Sequence, residues 1–247
     1  MIDRRTRIGE IPLRLIHGGS ERGTILVYHG FGAESAAQTK ELLSLAGAGF
    51  LAVGVDAVGH GARRFSDFEA RFGGGEGRRE DPFLEVVTRT AAEVPSLIDA
   101  LIETEGASPD RIGIVGISMG GYIAYAAALS ETRISAMTPV LASPEWPGSF
   151  AESPHRHLDR FPPIALLSQT AALDDNVPPE GARRFHERLE PRYASHPDRL
   201  RYLEFPNCRH FMPDAEWTRL WANVVHWHQR FLGNPPATPF PTNQEPQ

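Results

Sequence analysis

A chain of 247 residues with 41% hydrophobic residues is long enough to bury a full core in one large α/β domain, and no shift in composition marks a break in its middle. A formal net charge of −6, with Arg63-Arg64, Arg78-Arg79 and Arg183-Arg184 scattered among acids, argues against nucleic acid as a partner, and no apolar run approaches the roughly eighteen residues of a membrane span. The single cysteine, Cys208, rules out an intrachain disulfide, and the N-terminus leads into no signal-peptide hydrophobic region, so the expectation is a cytoplasmic protein.

Residues 11–16 alternate weakly and read as an edge strand, and 24–28 as a short buried one. His29-Gly30-Phe31-Gly32 follows at the carboxyl end of that strand, where a glycine-loosened backbone can turn the Phe31 N–H toward a developing negative charge. Residues 33–48 read as an amphipathic helix with Leu42, Leu43 and Leu45 facing in, ended by Gly47 or Gly49, and 50–55 as the next buried strand. From 56 to 81 the composition turns to glycine, arginine and phenylalanine without a sustained period. So long a loop in a compact domain is an active-site flap or disordered, and Phe65, Phe68 and Phe72 favour the flap. Asp81 as N-cap and Pro82 at the first helical position open a helix expected to run to about Glu105, kinked at Pro95.

Residues 112–117 form the central strand, and Gly116-Ile-Ser118-Met-Gly120 leads from it into an alanine-rich helix. This is the G-x-S-x-G spacing of a nucleophile elbow, in which glycines permit a turn sharp enough to lift the serine clear of both elements. The N-terminus of the following helix aims unpaired N–H groups at the turn, Met119 first among them. A dinucleotide-binding turn fits worse, because neither this stretch nor Val58-Gly-His-Gly-Ala62 completes G-x-G-x-x-G. Residues 134–141 give the next strand, and 143–163 a connection bearing Trp146 and Phe150, too short for a large lid. Then come a strand at 164–167, a helix at 179–189, a last strand at 200–205, and a closing helix at 214–232 capped by Asp214 and ended by Gly233. The domain is expected over 1–233, with 234–247 a proline-rich, disordered tail. Strands alternating with helices predict a mostly parallel sheet with helices on both faces.

A serine elbow is inert without a base, and the base needs an acid to hold its tautomer. Asp174-Asp175-Asn176-Val177-Pro178 follows the strand at 164–167, and Pro206-Asn-Cys-Arg-His210-Phe211 follows the strand at 200–205. Both stretches stand at carboxyl ends of strands, the edge where open α/β sheets place their chemistry. On the residues alone, either aspartate can orient His210.

The set His29-Gly-Phe-Gly, Asp110-Arg-Ile-Gly-Ile-Val-Gly-Ile-Ser118-Met-Gly-Gly, Asp174-Asp-Asn-Val-Pro and His210 resembles the α/β-hydrolase superfamily, specifically its small dienelactone-hydrolase-like and prolyl-oligopeptidase-type serine esterases. The resemblance spans nearly the whole chain apart from the tail. It implies an α/β-hydrolase fold with a minimal cap and a carboxylesterase with Ser118 as nucleophile, His210 as base and Asp174, which matches the acid of an Asp-x-x-Val-Pro motif, as orienting acid. The Phe31 and Met119 N–H groups would form the oxyanion hole. The segment Asp56-Ala-Val-Gly-His60-Gly-Ala-Arg63 looks like a loop found near the active-site mouth in that group, which makes His60 a pocket candidate beside Trp146 and Phe211. Two departures stand out: Ser168-Gln-Thr-Ala-Ala-Leu precedes the acid where such esterases carry a glycine, and Arg209 precedes His210 where glycine is usual. Dienelactone hydrolases proper carry a cysteine nucleophile, so the serine points to general ester hydrolysis. With no lid-sized insertion, short acyl chains are expected. Peptidase or acyltransferase chemistry on the same triad, or a catalytically silent ligand-binding fold, are the alternatives.

The expected partner is a small-molecule ester, with no nucleic acid and no membrane. No metal or organic cofactor is expected, since His155 and His157 lack companion ligands and His226 and His228, two apart on a helix, face different directions.

Overall fold

Aliphatic runs become the strands of one sheet in the computed structural model, which describes residues 1–19, 22–73, 80–146, 148 and 150–233; the tail at 234–247 lies outside the described residues. The strands are β1 (Ile2–Ile8), β2 (Ile11–His17), β3 (Thr24–Tyr28), β4 (Leu51–Val55), β5 (Ile112–Ile117), β6 (Ile134–Val140), β7 (Ala165–Ala171) and β8 (Leu200–Phe205). They lie in the order β1-β2-β4-β3-β5-β6-β7-β8. β2 runs antiparallel to both of its neighbours, β1 and β4, and all other pairings are parallel. The carboxyl ends of β3, β5, β7 and β8 therefore share one edge, which gathers the segments that follow them.

The helices are α1 (Thr39–Gly47), α2 (Phe68–Phe72), α3 (Glu80–Ala92), α4 (Val94–Glu105), α5 (Met119–Ala127), α6 (Glu180–Leu189) and α7 (Asp214–Leu232). Side chains alternate faces along a strand, so each buried run supplies two cores. Ile25, Val27, Val115 and Leu167 meet Leu42 and Leu45 of α1 and Leu220, Val224 and Trp227 of α7 on one face. Leu26, Ile114, Met137 and Leu166 meet Leu84 and Val87 of α3, Leu97 and Ile98 of α4, Ile123 of α5 and Phe185 of α6 on the other. The result is a mostly parallel sheet with helices on both faces, the architecture expected from the alternation of strands and helices. Among the described residues no helix is long and apolar enough to cross a membrane.

Several expectations are corrected. β2 is not the edge: β1 pairs along it from Ile2–His17 to Ile8–Ile11. β1 is exposed along most of its length and carries Arg4, Arg5 and Arg7, charges that suit an unpaired edge but erase the apolar alternation that marks a strand. The helix expected from residue 33 begins at Thr39, after a 3₁₀ turn over Ser35–Gln38, and Leu43 is 40% exposed while Leu42 and Leu45 are buried. Residues 56–81 contain a 3₁₀ turn at Gly61–Arg63 and then α2, with Phe68 buried; 74–79 lie outside the described residues. The single kinked helix is two, α3 and α4, because Pro95 lacks an N–H and is accommodated in the first turn of α4, not inside a continuous helix. α3 already includes Glu80, so Asp81 is not its cap. Asp214 is likewise the first residue of α7, with Pro213 at the cap position, and with Glu216 places negative charge where the helix dipole favours it.

Candidate active site

Ser118 joins β5 to α5 with φ 53° and ψ −115°, a conformation that non-glycine residues avoid. Its surroundings hold it there. The Ser118 N–H donates to the Val140 carbonyl at 2.8 Å, and its own carbonyl accepts from the N–H groups of Gly121 at 2.8 Å and Tyr122 at 3.2 Å. The turn is too tight for side chains at its glycines: a Cβ on Gly116 would lie 1.8 Å from the Gly120 carbonyl oxygen, and one on Gly120 would lie 2.2 Å from that of Tyr28.

Three side chains from three strand ends meet here. His210 Nδ1 lies 2.7 Å from Asp174 Oδ2, and His210 Nε2 lies 3.0 Å from Ser118 Oγ. A carboxylate only accepts, so the Nδ1–H donates to it, leaving the Nε2 lone pair to receive the serine hydroxyl. Asp174 is 3% exposed, and its other oxygen accepts the N–H groups of Asn176 at 2.9 Å and Val177 at 2.8 Å. The acid loop and the histidine loop are tied together by Leu173 N–H, which donates to the Cys208 carbonyl at 2.9 Å. Asp175 points elsewhere, into an exposed ion pair with Arg209.

The loop after β3 lies against the serine, since a Cβ on Gly30 would come within 3.8 Å of the Ser118 Cβ. Among the described residues, neither the Phe31 nor the Met119 N–H has a partner within the chain. The fully buried His29 sets the geometry of this loop. Ala57 N–H donates to its Nε2 at 3.0 Å, which leaves the ring proton on Nδ1 to be donated to the Gly30 carbonyl at 2.8 Å. Because the Gly30 C=O and the Phe31 N–H belong to one planar trans peptide and point opposite ways, holding the oxygen aims the N–H. Burial pushes the His29 pKa below the ordinary imidazole value, which keeps Nε2 free to accept. The Phe31 ring is packed among Phe68, Phe72, Phe83 and His60 at centroid distances of 5.5, 5.0, 6.1 and 5.3 Å.

A cavity of about 480 Å³ opens over Ser118 and His210, walled by Phe31, Ile117, Leu141 and Trp217, among others. Of the pocket candidates, Phe211 lines it and is 88% exposed. His60 and Trp146 do not. His60 is fully buried, its Nδ1–H donating to the Val58 carbonyl at 3.0 Å, and its ring packs behind Phe31 where burial lowers its pKa to about 4. A histidine in a glycine-rich loop reads as functional, but here it fills the core under that loop. Trp146 lines a separate cavity of about 670 Å³ with Tyr122 and Val177. Gln38 and Trp217, which the sequence did not single out, do line the Ser118 cavity. Trp217 Nε1–H donates to Glu41 Oε1 at 2.7 Å across 176 positions of chain, a contact with no local signature. Among the described residues no three His, Cys, Asp or Glu side chains gather to hold a metal.

Comparison with known proteins agrees with this architecture. The sequence model of the alpha/beta hydrolase family matches residues 15–246. Esterase YjfP of Escherichia coli (strain K12) is 27% identical over 177 residues, 70% of this chain and 64% of that protein, so the match spans less than two thirds of the relative. Among solved structures, TT1662 from Thermus thermophilus superposes with a TM-score of 0.73 at 17% identity, covering 93% of this chain and 99% of that one. A puromycin-hydrolyzing peptidase of Mycobacterium tuberculosis superposes with a TM-score of 0.71 at 19% identity, over 96% of this chain and 40% of the peptidase. At such identities the structural matches show a shared fold alone.

Proposed function

The chain belongs to the alpha/beta hydrolase family, and from that premise we propose that it is a serine carboxylesterase acting on small-molecule esters with short acyl chains. The observation that carries the reading is the hydrogen-bonded series Ser118–His210–Asp174, with links of 3.0 and 2.7 Å. In the proposed reaction Ser118 Oγ attacks the ester carbonyl carbon while His210 Nε2 takes its proton. Asp174 holds the ring in the tautomer that can do so. The carbonyl oxygen becomes an oxyanion, and the N–H groups of Phe31 and Met119 stabilise it. Collapse of the tetrahedral intermediate breaks the bond to the alcohol, which leaves with the proton from His210. Water then attacks the acyl-serine, giving its proton to His210, and as the bond from the acyl carbon to Ser118 Oγ breaks His210 returns that proton to Oγ and the acid departs. The short-chain preference is supported by the connection between β6 and β7, whose described residues form only the 3₁₀ turns Pro154–Arg156 and Leu158–Arg160 and no lid-sized element, since each further methylene gains ~0.8 kcal/mol only while it still finds apolar surface. The free, buried Cys208 fits a reducing compartment and supports a cytoplasmic enzyme.

A panel of aryl esters of graded acyl length, run beside peptide amides, tests the reading. Turnover concentrated in the short esters is the expected result. Amide turnover exceeding ester turnover would make the protein a peptidase, and an optimum at long chains would overturn the short-chain preference.

A further inference from the structure

Three aromatic side chains line the Ser118 cavity, Phe31, Trp217 and Phe211, and they differ in what already covers their faces. Phe31 is packed among Phe68, Phe72, Phe83 and His60. Trp217 is stacked on Trp221, with 6.3 Å between centroids and 23° between planes. Phe211 is 88% exposed, and among the described residues the ring beside it is that of His210, 5.5 Å away between centroids and nearly perpendicular at 85°. A phenyl ring left in water forgoes most of the burial free energy available to it. A single exposed apolar residue is ordinary on a protein surface. This one lines the cavity that holds Ser118 and lies against the imidazole proposed as the base, so its faces are open to a ligand at the point of reaction.

We propose that Phe211 is a specificity residue that stacks on an aromatic ring carried by the alcohol part of the ester; the proposal rests on the esterase reading above. The alcohol part is assigned by the path of the proton. The leaving oxygen takes its proton from His210 Nε2 and must come within hydrogen-bond reach of that atom, about 3 Å. The group attached to that oxygen therefore lies beside the imidazole, where the Phe211 ring also sits. An aromatic partner is favoured over a saturated one of the same size, because offset-stacked and edge-to-face pairs gain free energy beyond the area they bury. The substrate class is an ester of a short-chain acid with an arylalkyl alcohol.

The test compares phenethyl acetate with cyclohexylethyl acetate, read by the release of acid. The two alcohols match in carbon count, and the two-carbon link insulates the leaving oxygen from the ring, so their intrinsic reactivities are alike. The saturated ring offers at least as much apolar area, so burial alone gives the phenyl ester no advantage. The wild type should favour the phenyl ester in kcat/KM by roughly two- to twelvefold. In Phe211→Leu, which keeps an apolar side chain at an exposed position, that ratio should fall to about one or invert, and Phe211→Tyr should restore it. The mirror pair, ethyl β-phenylpropanoate and ethyl β-cyclohexylpropanoate, carries the ring on the acyl side and should show no preference that depends on Phe211. Equal or faster turnover of the cyclohexyl acetate by the wild type would overturn the proposal, as would a phenyl preference that survives in the folded Phe211→Leu variant. A Phe211-dependent preference confined to the mirror pair would overturn the assignment to the alcohol. Each of these outcomes leaves the esterase reading standing, because ester turnover is observed. No turnover of any ester, with Ser118 unlabelled by a serine-directed phosphonate, removes that reading and this inference with it.

Discussion

Replacing Asp174 by Asn preserves volume and removes one charge, yet the surrounding bonds predict a large effect through the tautomer of His210. The N–H groups of Asn176 and Val177 donate to Asp174 Oδ1 at 2.9 and 2.8 Å. In the variant they select the amide oxygen for that place, which turns the NH₂ group toward His210 Nδ1, now 2.7 Å from the carboxylate. A donor facing Nδ1 requires a lone pair there, so the ring proton moves to Nε2 and faces Ser118, and the base can no longer accept. In a well-studied serine protease the same change lowers turnover by ~10⁴-fold, equivalent to ~5.4 kcal/mol of transition-state stabilisation. Asp175→Asn is the internal control. Its partner Arg209 and Asp175 itself have side chains 68% and 79% exposed, an ion pair worth about 0–1 kcal/mol, so its activity should stay within a few-fold. The assay is kcat/KM with one short-chain aryl ester, with a melting curve for each variant to establish that it is folded. A collapse confined to Asp175→Asn, or near-normal rates in both variants, would refute the reasoning.

The remaining expectations concern the scaffold around the triad. His29→Phe removes the ring that holds the Gly30 carbonyl at 2.8 Å, so kcat should fall by ~10²-fold with KM little changed, as when one oxyanion donor is lost; a purely KM effect would contradict this. Gly116→Ala drives a methyl group to within 1.8 Å of the Gly120 carbonyl oxygen and should cost ~3 kcal/mol or more, read as a lost or strongly lowered Tm; a normal melt would argue against the elbow geometry. Burial lowers the pKa of His186 to about 3 and of His228 to about 4, so the neutral rings stabilise the fold fully above the ordinary imidazole pKa, and that stability is lost as pH falls from ~6.5 toward those values, at up to ~3 kcal/mol per pH unit for the pair. Denaturant melts across that window should show the slope and a shallower one in His186→Gln; stability independent of pH there would disprove it.

Much of the fold is legible in the sequence for a simple reason. β3, β4 and β5 are buried on both faces, which leaves them as unbroken apolar runs ending in glycine- or histidine-bearing turns. β1 is not legible, because a strand with exposed faces carries arginines without penalty. Ser118 and His210 stand out because each follows a strand at the carboxyl edge of the sheet. The choice between Asp174 and Asp175 depends on which carboxylate the backbone N–H groups of residues 176 and 177 turn inward, a matter of side-chain direction that neighbouring identical residues do not encode. The pocket is the least legible part. Gln38 and Trp217 come from the two ends of the chain and meet over the cavity only through the packing of α1 and α7 on one face of the sheet. His60 and Trp146 have the chemistry of pocket residues, and only their burial and positions show that they lie elsewhere.

The central claim is that Ser118 is the nucleophile, and covalent labelling tests it most directly. The protein is treated with an aryl phosphonate that reacts with activated serines, digested and read by mass spectrometry, beside Ser118→Ala carried through the same protocol and the same ester assay. The account predicts one phosphonyl group per chain on the peptide containing Ser118, loss of turnover in step with labelling, and neither label nor turnover in a Ser118→Ala protein that melts like the wild type. Ester turnover retained by the folded Ser118→Ala variant, or a label on another residue that tracks the loss of activity, would contradict it.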